Sequence, residues 1–355
     1  MDSPSPIPNL FIVGAAKSGT TFLWHNLKNH PNIFVPDDEL FKEPAFFSDK
    51  GKHLGISQYL EIFKNAGKNH KWVGEASTAY LTDPHSAKQI YTFNPNSKII
   101  IILRDPVERA YSLYNWMVQD GYEYAETFEK ALYLEKTRIN RQIPNWYEPE
   151  YYWNYLYYHS GLYYSQVQRY VELFGENVLV LKFEDVIKNK NKEYKKTFSF
   201  LKLHPIELTH QKHNKSYQVH SVKSQFILRK LNDSLIPFRL NSCPISIIKI
   251  IQLYTSIIWK LYQENISLDS LSSHIVLIRK IIHSIQHEEN LFGSITTKHQ
   301  RDFLLKIGLI AQPPVPMNSI TREKLQHQYK KDILKLENFT NIDLKSWLSS
   351  SSYSE

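Results

Sequence analysis

Residues 9–31 read NLFIVGAAKSGTTFLWHNLKNHP, and the rest of the chain is easier to place once this segment is understood. NLFIV is a short apolar run ending at Gly14. Leu23, Trp24 and Leu27 then fall at helical spacing until Asn29-His30-Pro31 stops them, which predicts a strand, a loop and a helix. A glycine-containing loop between a buried strand and a helix points successive backbone N–H groups at one spot, and the helix dipole there favours negative charge. Phosphate is the natural occupant.

The placement of the lysine narrows that reading. In the nucleotide triphosphatase loop, Gly-x4-Gly is followed directly by Lys and then by a Ser or Thr whose hydroxyl holds magnesium. Gly14 and Gly19 keep the spacing, but Lys17 precedes Gly19 by two positions, and Thr20 and Thr21 follow it. The magnesium-binding step is not encoded in the usual way.

Working outward, the same alternation recurs. KWVGEAS precedes a segment opening at Asp83-Pro84, and KIIIIL runs into Arg104-Asp105-Pro106. Asp105 and Glu108, three apart with proline at the first helical position, form a helix-start signature. The helical GLYYSQVQRYVELFG is followed by the apolar NVLVLKF. Continuous apolar strands separated by helices predict an α/β fold with a parallel sheet covered on both faces, like that of the P-loop NTPases. From about residue 205 strand-like runs disappear and Ile/Leu-rich helical stretches take over. The expected organisation is one domain over 1–355: an α/β core at 8–204, a helical insertion at 205–318, and a closing helix and tail at 319–348, with TREKLQHQYKKDILKLE as the helix.

Composition sets outer limits. At 355 residues with 42% hydrophobic and 22% charged side chains, the chain has the make-up of an ordinary globular protein. The lone Cys243 can form neither an internal disulfide nor a cysteine zinc cage, and MDSPSPIPNL lacks the form of a secretory signal, so a cytoplasmic protein is expected. A net charge of +8 suits an anionic ligand. The basic residues are dispersed and show no nucleic-acid-binding spacing, so no nucleic-acid partner is expected. Residues 244–262, PISIIKIIQLYTSIIWKLY, form a stripe suited to core packing, with peripheral membrane contact as the sharper alternative.

The loop resembles the phosphosulfate-binding loop of the sulfotransferases that use 3′-phosphoadenosine 5′-phosphosulfate (PAPS), the match falling on Lys17, Ser18, Gly19, Thr20 and Thr21. A second stretch, IILRDPVERAYSLYNW, is similar to that family's 3′-phosphate site, with Arg104 at a strand end and Ser112 eight residues on. The chemistry agrees, since arginine offers a planar fork to a phosphate and a serine in the next helix can project toward the same anion. GLYYSQVQRYVELFGENVLVLKFEDV and YKKDILKLENFTNIDLKSW also resemble family segments, nearest the branch of bacterial and heparan-type enzymes. The resemblance implies PAPS as sulfuryl donor, PAP as product, no metal, and a small-molecule, lipid or carbohydrate acceptor.

It also implies roles. Lys17 would contact the 5′-phosphate and the bridging oxygen, and Glu43, in FKEPAFF at 41–47, would be the catalytic base, in place of a plain surface pairing with Lys42. Two positions depart from the family pattern: Ala45 stands where a histidine is often found, and Ala76, in GEASTAY, where the heparan-type enzymes carry a lysine. Glu75 is a secondary acid or base candidate, with a buried structural carboxylate as the competing role. The aromatic run NWYEPEYYWNYLYYHSGLYY at 145–164 either lines an acceptor pocket or packs a helix on the sheet. HNKSY at 213–217 and KHQR at 298–301 are the basic stretches that could close over a donor. The competing functions are an ATP-dependent P-loop kinase, which would need magnesium, and a non-catalytic nucleotide-regulated binding protein.

Overall fold

The structure, a computed structural model, describes residues 6–36, 41–48, 54–140, 149–206, 218–219, 310–311 and 315–348. In chain order these include β1 (Leu10–Gly14), α1 (Thr20–Lys28), β2 (Ile33–Phe34), α2 (Ile56–Glu61), β3 (Trp72–Glu75), α3 (Ala79–Thr82), α4 (Ser86–Phe93), β4 (Lys98–Leu103) and α5 (Pro106–Gln119). They continue with α6 (Phe128–Arg138), α7 (Tyr163–Phe174), β5 (Val178–Lys182), α8 (Phe183–Lys188), α9 (Lys190–Phe200) and α10 (Ser319–Thr340).

The five strands form one parallel sheet in the order β2-β3-β1-β4-β5. Its centre is apolar without alternation because both faces are covered: Phe11, Val13 and Ile99 to Ile102 are fully buried. On one face Ile12, Ile100 and Leu181 pack with Leu23, Trp24 and Leu27 of α1 and Tyr194 and Phe198 of α9. On the other, Phe11 meets Phe47 edge-on, with ring centroids 5.9 Å apart, and α7 packs against β4. The chain leaves β1 toward β2 and β3 and returns on its other side as β4 and β5. The switch point therefore lies between β1 and β4, and the carboxyl ends of the strands there are where such sheets hold ligands.

Asp105 starts α5 as its sequence suggests, its Oδ1 accepting from Val107 N at 2.8 Å. The rest of the capping signature is put to other use. Glu108 does not reach back to Asp105 N, which donates instead to Glu184 Oε1 at 3.0 Å, while Glu108 pairs with Arg322 of α10. A long-range ion pair has taken the place of a local capping hydrogen bond.

Contacts divide the chain into two compact units, one comprising residues 1–117, 125–215 and 316–355 and the other 118–124 and 216–315. In the first, α10 is capped by Asn318, whose Oδ1 accepts from Ile320 N at 2.9 Å, and it packs along α7. Tyr329 of α10 is fully buried and donates to Tyr158 O at 2.9 Å. At Gly161 any Cβ would lie 2.6 Å from the Tyr329 hydroxyl oxygen, so glycine is required there. Beyond α10, Lys182 at the end of β5 donates to Asp343 O (2.8 Å) and Ser346 Oγ (3.0 Å), next to the fully buried Trp347.

In the second unit, Gln218–Val219 pairs antiparallel with Ile310–Ala311, which corrects the expectation that no strand follows residue 205. The remainder of the expected helical insertion, including 244–262, HNKSY, KHQR and Cys243, lies outside the described residues, as do 349–355. Among the described residues, no helix is long and apolar enough to cross a membrane.

Candidate active site

The loop after β1 is shaped by three residues in the left-handed or positive-φ region: Gly14 (φ 152°), Lys17 (φ 66°) and Gly19 (φ 87°). At Gly14 an added Cβ would stand 2.7 Å from Leu81 Cβ, and at Gly19 one would stand 3.0 Å from the Phe183 ring. The glycines therefore let the loop press against α3 on one side and Phe183 on the other. Gly19 caps α1 without offering any side-chain acceptor to its first-turn N–H groups. Ser18 is fully buried and its Oγ has no hydrogen bond to the protein. Thr20 is buried and Thr21 half-buried at the start of α1. A cradle that a Cβ would fill, with an orphaned hydroxyl and an uncapped helix start, fits a phosphate.

The second predicted motif arrives at the same place. Arg104, at the end of β4, donates from Nη1 to the Lys17 carbonyl at 3.2 Å across 87 residues of sequence, and its guanidinium lies over the Phe183 ring at 5.1 Å. The Lys17 ammonium lies over Trp116 of α5 at 5.6 Å. Ser112 is half-buried one helical turn before Trp116, on the same face of α5. Lys17, Arg104 and the Ser112 face of α5 thus converge at the switch point. Phe183 and Trp116 escaped sequence reasoning. Trp116, four residues after Ser112, could have been found from helical spacing, whereas nothing local marks Phe183.

Glu43 comes to the loop through Thr78. Its Oε2 accepts from Thr78 Oγ1 (2.9 Å) and Thr78 N (3.3 Å), and its Oε1 pairs with Lys42 Nζ at 2.6 Å. The Thr78 carbonyl in turn lies 3.3 Å from where a Gly14 Cβ would be. The carboxylate is 38% exposed, and its partners hold it in one orientation. The pairing with Lys42 is therefore present, and it orients the group without burying it.

Glu75 has a different environment. It is 1% exposed, and its carboxyl receives Tyr59 Oη (2.6 Å), Tyr80 Oη (2.9 Å) and Ser77 Oγ. Ser77 Oγ also accepts from Ala45 N at 2.9 Å, and Ala76 N donates to Lys42 O at 2.9 Å. Glu75 thus anchors the turn that carries Glu43, which is the structural one of its two candidate roles. Ala45 is buried with φ 52°, and Ala76 is fully buried.

Burial pushes the Glu75 carboxyl from 4.5 up to about 7, against the lowering effect of its three hydroxyl donors. Burial likewise pushes Glu135 up to about 7 and Asp105 to about 6. A carboxyl raised on folding makes the native state hold its proton more tightly than the unfolded chain. Its stability is then fullest below about pH 4.5 and declines as pH rises toward about 7. Glu75→Gln is expected to remove its share of that decline, on the order of 2–3 kcal/mol. Urea unfolding at pH 5 and pH 8 checks this, since an undiminished difference in the variant would place the titration elsewhere.

The aromatic run packs against the core, the second of its two expected roles, and also borders a cavity. Tyr155, Leu156, Tyr157 and Tyr163 are fully buried in packing, while Tyr152 and Trp153 line that cavity. Residues 145–148 lie outside the described part. Among the described residues, no group of three His, Cys, Asp or Glu side chains could hold a metal ion.

The family model for the sulfotransferase domain matches residues 8–234. The chain belongs to the sulfotransferase family. This sulfotransferase is 37% identical over 115 residues to the membrane-associated sulfotransferase kil1 of Dictyostelium discoideum, a match covering 32% of this chain and 24% of that protein. It is 34% identical over 111 residues to the mouse bifunctional heparan sulfate N-deacetylase/N-sulfotransferase 4, covering 30% of this chain and 13% of that one. The match thus spans a quarter or less of these relatives' length. A sulfotransferase crystal structure from Alicyclobacillus acidocaldarius superimposes with a TM-score of 0.59 at 24% identity, covering 97% of this chain and all of that one, and it shares the fold.

Proposed function

We propose that this sulfotransferase moves a sulfuryl group from PAPS to a hydroxyl or amine of a small-molecule, lipid or carbohydrate acceptor. The observation that carries the reading is the Arg104 contact to the Lys17 carbonyl, which joins an uncapped anion loop to a second phosphate-type cation at the carboxyl ends of β1 and β4. PAPS would supply the sulfuryl group and a phosphate leaving group. Lys17, Ser18, Gly19, Thr20 and Thr21 would hold its 5′ side, and Arg104 and Ser112 its 3′-phosphate. Lys17 offsets charge on the departing oxygen, and Glu43 accepts the proton of the attacking acceptor. On this reading the α/β core at 8–204 carries the donor site, 319–348 close it from the C-terminal side, and 205–318 are inserted between them. The reaction is metal-independent and the protein cytoplasmic.

Calorimetric titration with PAP in the absence of magnesium tests the donor, with adenosine 5′-phosphate and magnesium-ATP as comparators. Binding that depends on the 3′-phosphate supports the reading. A preference for magnesium-ATP would make the chain a kinase-like protein and overturn it. In the same assay Arg104→Ala is expected to weaken PAP by about 30- to 1000-fold, as for a charged pair broken in a desolvated site. Adenosine 5′-phosphate, lacking the group that Arg104 reads, should lose far less. Equal losses for both ligands would mean that Arg104 acts only through the loop.

A further inference from the structure

Along α5, Glu108, Ser112 and Trp116 stand four residues apart and each is half-buried, so they form one partly exposed stripe on the helix. Both ends of the stripe meet a cation from elsewhere in the chain. The Lys17 ammonium lies over Trp116, and Arg322, in the first turn of α10, pairs through Nη1 with Glu108 Oε1. Ser112 therefore sits between the two cation-bearing positions, about 5–6 Å along the helix from each. Arg104, at the end of β4, enters from below the same helix.

Arg322 is held in place before any ligand arrives. Thr321 beside it is buried, and its hydroxyl donates to Glu129 Oε1 of α6 at 2.7 Å, while Asn318 caps the same turn. The pair with Glu108 is nevertheless a weak clamp. Its side chains are 31% and 24% exposed, a setting in which an ion pair adds little to stability, and α10 is already anchored by the buried Tyr329. The same exposure leaves the guanidinium within reach of a ligand. A guanidinium carries five N–H donors, so the contact through Nη1 leaves capacity for a second anion.

The neighbours decide which anion that is. Glu108 offsets one positive charge, and the guanidinium of Arg104 and the hydroxyl of Ser112 approach from other directions. A phosphate monoester, with close to two negative charges and three acceptor oxygens, can take all three donors. We propose that Arg322 is a further donor-binding residue, which contacts the 3′-phosphate of PAPS together with Arg104 and Ser112. The proposal rests on the sulfuryl-transfer reading, and it makes α10 a part of the donor site as well as of the fold.

The test is calorimetry with PAP and with adenosine 5′-phosphate, without magnesium, on the full chain carrying Arg322→Ala, Arg322→Lys or Glu108→Gln. Arg322→Ala is expected to weaken PAP about 10- to 100-fold and adenosine 5′-phosphate by less than about twofold. Glu108→Gln removes an anion from beside the phosphate and is expected to tighten PAP about two- to tenfold. A pair that only ties α5 to α10 is broken alike by either substitution. Matching losses of PAP in Arg322→Ala and Glu108→Gln, or matching losses of the two nucleotides in Arg322→Ala, therefore overturn the proposal. Arg322→Lys keeps the charge beside Glu108 but not the planar fork, so it should unfold in urea as the wild type does and bind PAP alone about threefold or more weakly. It decides the matter should Arg322→Ala fail to fold. Wild-type PAP binding that is indifferent to substitution of Arg322 overturns this proposal and leaves the donor reading standing, whereas a wild type that binds no PAP overturns both.

Discussion

Lys17→Ala is expected to lower kcat by about 10²- to 10³-fold, the usual scale for removing one group aimed at charge that develops in the transition state. The effect on PAP affinity should be much smaller, because the loop's backbone N–H groups and Arg104 remain. The structure supplies the reason. Lys17 sits at φ 66°, its carbonyl is tied to Arg104 and its ammonium lies over Trp116, so both backbone and side chain are held before any ligand arrives. Such preorganisation matters where charge changes during reaction more than where it is constant. Single-turnover transfer from labelled PAPS, alongside PAP calorimetry, separates the two quantities. A variant that turned over normally but bound PAP weakly would make Lys17 an anchor only.

Glu43→Gln is expected to cut transfer by about 10²- to 10⁴-fold, the range for losing a general base, with the PAP isotherm unchanged. Thr78→Val gives the necessary contrast. It keeps the carboxylate and its Lys42 partner but removes the 2.9 Å hydroxyl bond that sets the orientation. An intermediate loss is expected there, chiefly in kcat. Near-normal transfer by Glu43→Gln would dismiss it as the base.

How much of this was legible in the sequence depends on the range of the interaction. β1, β4 and β5 were visible because burial on both faces writes a continuous apolar run, as in KIIIIL and NVLVLKF. β2, with two residues, is too short to carry a period, and the pair at 218–219 and 310–311 joins residues with no local signal at all. At the site, Lys17, Arg104 and Ser112 could be named from their resemblance to family motifs, and the structure ties the Arg104 guanidinium to the Lys17 carbonyl and sets the Lys17 ammonium over Trp116, one turn from Ser112. Phe183 could not, because its place between Gly19 and Arg104 depends on β5 lying beside β4. Glu108 shows the opposite failure: a local cap was predicted, and a partner on α10 took the carboxylate instead.

The tie between Lys182 and the Asp343–Ser346 turn links residues 161 positions apart, and that separation sets a schedule for biogenesis. At about 5–20 residues per second, translation needs on the order of 10 s or more to deliver the second half of this contact after the first has been made. During that interval the nascent chain can pair β1, β3, β4 and β5, but the side of α7 that α10 will cover faces solvent, and the ammonium of Lys182 waits without its final acceptors. The loop after β1 can thus be assembled on the ribosome well before α10 is in place.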